Sequence, residues 1–137
     1  MPHSDIDRLF EFCVPFAQNQ LKKRGRFDPF AAMVKADGAL SPLTYYDGEE
    51  TTGTKETVTK LTEIFKGMVV QGDLLASAIC YNGRVSLPGK EGQNAIIVSM
   101  ERANVAVTMT VPYARKFLRG YKFEAAFRIP AQPMIFN

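Results

Sequence analysis

Between Asp5 and Arg24 the apolar residues Ile6, Leu9, Phe10, Cys13, Phe16, Ala17 and Leu21 recur at helical spacing and fall on one stripe. Such a helix owes most of its stability to packing its apolar face on another layer, so the rest of the chain must supply a surface to receive it. The ends agree with the interior. Ser4 is placed to cap the first turn, Asp5 and Asp7 sit where the helix dipole favours negative charge, and Lys22, Lys23 and Arg24 precede Gly25 at the other end. Pro15 removes one amide donor and crowds the carbonyl of Glu11. It falls beside Arg8, Glu11 and Lys22, where water can satisfy that carbonyl, so the expectation is a bend around the core, with a break at Pro15 as the alternative.

The receiving surface reads as strands. Phe30 to Ala36 and Ala39 to Tyr45 flank Asp37-Gly38, a pair suited to the positive φ angles of a two-residue hairpin turn. Pro42 cannot donate to a ladder, which places the second strand at an edge or at a bulge. After a polar loop from Asp47 to Gly53, a second helix is predicted from about Thr54 to Val70. Val58, Leu61, Phe65, Met68 and Val69 lie on one face of it, and Gly72 ends it. Leu75 to Tyr81 and Arg84 to Leu87 then read as a hairpin closed by Asn82-Gly83, with a loop from Pro88 to Gln93. Ala95 to Glu101 and Val105 to Val111 pair through a turn near Ala103-Asn104. The second of these alternates, with Val105, Val107, Met109 and Val111 inward and Thr108 and Thr110 outward. A last strand runs from Tyr121 to Ile129, ahead of Pro130 and Pro133. The predicted fold class is therefore α+β: one antiparallel sheet of five to seven strands with two helices packed on one face. The order is α-β-β-α-β-β-β-β(-β), in a single domain over residues 1–137.

A chain of 137 residues buries enough surface to hold a core without disulfides or metals. Apolar runs such as Ala95 to Val98 fall far short of the ~20 residues that cross a bilayer, so no membrane segment is expected. The first residues carry neither an early positive charge nor an apolar stretch of signal type, which makes the cytoplasm the expected compartment. Cys13 and Cys80 have apolar neighbours on different elements and read as core residues. A net charge of +3 is too mild to argue for nucleic acid by itself.

Several chemistries lack their residues. The one histidine, His3, stands where chains fray, so neither a Ser-His-Asp nor a Cys-His system is available, and no catalytic residue is assigned. The cysteine, histidine and carboxylate spacings supply no metal cluster, and Asp37, Asp47, Glu49 and Glu50 do not converge in sequence as oxygen ligands would. No nucleotide-binding glycine motif is present. Gly89-Lys90-Glu91-Gly92 leads into a predicted strand rather than a helix N-terminus, so no cofactor is expected. Two constellations remain. Arg84, Glu101, Arg102 and Tyr113 stand near strand ends, where they could line a cleft for a small polar ligand. Arg115, Lys116, Arg119 and Lys122 form a basic patch, with Lys22, Lys23, Arg24 and Arg26 as a second group. Both read either as solvated charge or as a site for an acidic partner or anion.

Arg119-Gly-Tyr-Lys-Phe-Glu-Ala-Ala-Phe127 resembles the RNA-binding octamer of RRM domains at its first three residues and at Phe123. It departs from it at Lys122, where the motif has a small residue, and at Phe127, which shares a face with Tyr121 and Phe123. Phe27-Asp-Pro-Phe-Ala31 with Asp37-Gly38, Ala78-Ile-Cys-Tyr-Asn-Gly-Arg-Val85 and Thr110-Val-Pro-Tyr113 resemble segments of small uncharacterised bacterial proteins of similar length. That resemblance implies a bacterial cytoplasmic protein and no particular activity. The element order is also similar to Roadblock and profilin-like domains, which implies dimerisation through sheet edges or helices. The leading expectation is a non-enzymatic binding or interaction module that self-associates as a homodimer or meets another protein through a sheet edge, that of the Pro42 strand, or through an exposed sheet face. The alternatives are a small-molecule binder or enzyme built on the arginine, glutamate and tyrosine set, and an RNA binder using Tyr121, Phe123 and Phe127. Nucleic acid is the weakest of these partners and a membrane is not among them.

Overall fold

A computed structural model describes residues 4–44, 53–116 and 120–136. Helix α1 spans Asp5–Arg24, with the Ser4 hydroxyl accepting the Asp7 amide at 3.1 Å and Gly25 closing it at φ +76°. The helix is continuous through Pro15, whose side chain is exposed, so the chain bears the lost donor without breaking. Strands β1 (Phe30–Lys35) and β2 (Leu40–Leu43) form the first hairpin. Its turn is one residue longer than expected: the Gly38 amide donates to the Lys35 carbonyl, the Lys35 amide to the Ala39 carbonyl, and only Gly38 takes a positive φ. Asp37 instead accepts the Ala39 amide at 2.9 Å, an acid bonding its own backbone two residues on.

Helix α2 (Thr54–Gln71) leads through Gly72, at φ +76°, to the antiparallel meander of β3 (Leu74–Leu87), β4 (Lys90–Arg102) and β5 (Val105–Lys116). The expected hairpin at Asn82-Gly83 does not form. Both residues lie inside β3, paired with Ile96 and Ala95 of β4, and the chain turns at Pro88-Gly89, where Gly89 has φ +75°. Gly83 serves close packing: a Cβ there would meet the Ile97 Cδ1 atom at 2.2 Å. Ala103-Asn104 is the turn predicted, with Asn104 at φ +66°.

The last predicted strand is two short ones along the same edge of β5. Strand β6 (Gly120–Phe123) pairs with residues from Tyr113 to Lys116, and β7 (Phe127–Pro130) with residues from Val107 to Thr110. The register slips by one between them. Phe127 therefore lies opposite Thr110, on the other face of the sheet from Phe123, which lies opposite Tyr113. The sheet has seven strands in the order β2-β1-β3-β4-β5-β6, with β7 also on β5. Strand β2, carrying Pro42 opposite Ala32, is the edge the proline required.

The α+β class, the antiparallel sheet and the element order are those expected, but the two helices do not share a face. Leu9, Cys13, Val14, Ala17 and Leu21 of α1 pack with Ala32, Val34, Ala78, Cys80 and Val98. Leu61 and Phe65 of α2 pack with the alternate strand residues Ala31, Met33 and Ile79. Both faces of β1, and of β3 from Ala76 to Cys80, are thus buried. Thr110, expected outward, is fully buried with its hydroxyl unpaired, between Ile97 of β4 and Phe127 of β7. On the α2 side the C-terminal segment closes over β4, where one oxygen of Glu101 accepts the amides of Met134, Ile135 and Phe136 at 3.0, 2.9 and 3.2 Å. Ile135 is buried beside Leu61 and Phe65.

Candidate functional site

Arg84, Glu101, Arg102 and Tyr113 do not form a cleft. Arg84 lies opposite Asn94, seven residues along β4 from Glu101, which separates those backbones by about 23 Å at ~3.3 Å per residue. Glu101 is buried and spent on the C-terminal segment, and its neighbour Arg102 points to the opposite face and is exposed. Tyr113 shares a sheet face with Arg84, but its hydroxyl is committed to the Asn82 side-chain carbonyl. Desolvation, with a smaller contribution from Tyr121, raises the Tyr113 pKa, so the phenol stays protonated and acts as a donor. Tyr81 is shifted up in the same way. Burial also pushes the Cys13 thiol up to about 12 and Cys80 well above its ordinary range, which leaves both as packing groups rather than nucleophiles. Among the described residues no group of three or more His, Cys, Asp or Glu gathers as a metal site.

The basic residues do converge. The last turn of α1 and the β5–β6 hairpin stand side by side and enclose an open groove of about 520 Å³. Lys22, Lys23 and Arg24 form one wall and Arg115 and Lys116 the other, with Leu21, Gly25, Gly120 and Tyr121 between them. No carboxylate lines it among the described residues. All five cations are exposed, and Lys23, Arg115 and Lys116 have no ion-pair partner among the described residues. Arg24 reaches Asp28 at 3.6 Å, and the Lys22 ammonium lies 5.9 Å from the centre of the Phe123 ring.

An aromatic stack fixes the two walls. Tyr121 stacks on Phe123 at 6.2 Å, both rings lean on Tyr113, and all three pack against the α1-side core. The Tyr121 hydroxyl extends towards Gly25, so the hairpin meets the helix cap directly. Gly120, at φ +80°, begins β6.

Of the predicted basic patch, Arg115 and Lys116 belong to the groove. Lys122 does not, because it alternates with Tyr121 onto the other face of the hairpin and pairs with Glu124 at 3.8 Å. Arg119 lies outside the described residues. The helix-end group was visible in the sequence as dipole compensation, yet nothing local joined it to Arg115 and Lys116. The RNA-binding surface expected of Tyr121, Phe123 and Phe127 is divided, since Phe127 is on the opposite face and the other two rings are half buried against each other. Among the described residues no helix is long and apolar enough to cross a membrane. Comparison with protein-family models, curated proteins and solved structures finds no match.

Proposed function

We propose that this protein is a non-enzymatic binding module whose site is the groove between the end of α1 and the β5–β6 hairpin, and that its ligand is anionic. The carrying observation is the meeting of five cations from two distant stretches of chain around one groove, with no carboxylate among the described residues that line it. Like charges held together raise the local potential and are tolerated at the surface because water screens them. An anion relieves that repulsion on arrival. Among the described residues the groove holds one phenol, that of Tyr121, while the Tyr113 hydroxyl beside it is tied to Asn82 and both thiols are buried on the core side.

Self-association through β2 has less in its favour. That edge offers four residues, one of them Pro42, and the opposite edge is made of two four-residue strands with Pro130 in the second. Short strands carrying proline are how sheets discourage pairing with another chain.

Retention on a sulfated polysaccharide matrix tests the reading. Lys23→Glu with Lys116→Glu in the groove should elute at much lower salt than the unaltered chain. Lys55→Glu with Lys66→Glu, the same charge change on exposed positions of α2, should move elution far less. Equal losses from both pairs would reduce the effect to net charge and end the proposal.

A further inference from the structure

We infer that the ligand of this groove is an acidic segment of another protein, a run rich in Asp and Glu, rather than a phosphorylated metabolite or a nucleic acid strand; this rests on the groove being an anion site at all.

A compact phosphate is best held by backbone amides at a helix N-terminus, where the dipole is positive. Here the adjoining helix presents its C-terminal end, whose carbonyls repel a small anion brought close to the backbone. An anion must then meet the tips of long side chains, away from the helix axis, which suits charges spread along an extended chain. A nucleic acid strand is extended too, but its bases need free aromatic faces to stack on. Tyr121 and Phe123 stack on each other, Lys22 covers Phe123, and Phe127 is on the far side of the sheet. Tyr121 is the one ring lining the groove among the described residues, and its face is taken up by Phe123.

Carboxylates fit what is present. Arg24 already holds one, Asp28, at 3.6 Å, and arginine forks match carboxylates in pairs. Arg115 on the facing wall has no such partner among the described residues. Between the walls Leu21 is buried and only part of the Tyr121 ring reaches the surface, so recognition falls to the side-chain cations. A second copy of this chain is the poorer occupant, because each carries a net charge of +3.

The experiment is fluorescence anisotropy on the full chain with three probes: a glutamate-rich peptide, an oligothymidylate of equal charge, and inorganic phosphate as a competitor. The expected result is that the peptide binds more tightly than the oligonucleotide, weakens on adding salt, and loses about tenfold or more in affinity in the Lys23→Glu/Lys116→Glu chain. The α2 charge control should stay close to the unaltered chain. Should the groove pair fail to fold, Lys23→Gln with Lys116→Gln replaces it. Tighter binding of the oligonucleotide, lost in the groove variant, overturns the acidic-segment assignment and leaves the anion site standing. Displacement of the peptide by dilute phosphate does the same in favour of a small ligand. Absence of binding to any probe, or equal loss in groove and control variants, overturns both.

Discussion

The carboxylate of Glu101 holds the end of the chain on the sheet, and the strength of that hold can be worked out. It is 4% exposed, and its Oε1 atom accepts three consecutive amides, of which that of Ile135 is itself buried. Hydrogen bonds to a charged group contribute roughly 1.5–3 kcal/mol each when water cannot replace them. Met134 is exposed and Phe136 half buried, so water recovers part of two of the three. Glu101→Ala should therefore cost about 3–5 kcal/mol, the range for removing one partner of a buried charged contact. Glu101→Gln keeps an acceptor without the charge, and since charge-assisted bonds are about twice as strong as neutral ones, it should cost roughly half as much. Urea unfolding with a constant slope gives these differences. Ending the chain after Ala131 removes the three donors, and in that background Glu101→Ala should cost less than about 1 kcal/mol. A full-length Glu101→Ala protein within about 0.5 kcal/mol of the parent, or the same loss in both backgrounds, would refute the assignment.

Gly83→Ala should destabilise by about 1–3 kcal/mol, because the new methyl meets Ile97 at 2.2 Å, and Ile97→Ala should recover part of that loss in the double variant. Stability should fall in alkali. Unfolded thiols ionise near the ordinary 9.0, whereas Cys13 resists to about 12 and Cys80 is also raised, so their contribution is intact below about pH 9 and is lost as pH rises towards 12. Each contributes a slope of roughly 1.4 kcal/mol per pH unit in that window, and Cys13→Ala should flatten the measured profile. In native protein near neutral pH both thiols should react with a disulfide reagent only as fast as the chain opens, and immediate labelling of either would show that it is not buried.

Helix α1 was legible because everything that specifies it is local: a 3.6-residue stripe, a serine cap, a glycine stop and charges matched to the dipole. Pro42 announced an edge strand for the same reason, since a missing amide is a property of the residue wherever it is placed. Asn82-Gly83 misled because it is a strong local turn signal overridden by eleven residue pairings between β3 and β4, with Ile97 filling the space the glycine leaves. The real turn, Pro88-Gly89, carried a signal of its own within a stretch read as a loop.

Which face each helix covers was a different problem. Phe30–Val34 is buried without alternation, so the strand pattern carries no sign that α1 takes one side and α2 the other. The candidate site follows the same division. The sequence by itself determined that Lys22, Lys23 and Arg24 end a helix and that Arg115 and Lys116 form part of a basic run. Only the tertiary structure decided that these groups face each other across one groove, while Lys122 turns away and Glu101 is used up inside. Local propensity depends on neighbours along the chain, but a binding site depends on strand register and helix docking, which are set by pairings between residues far apart in sequence.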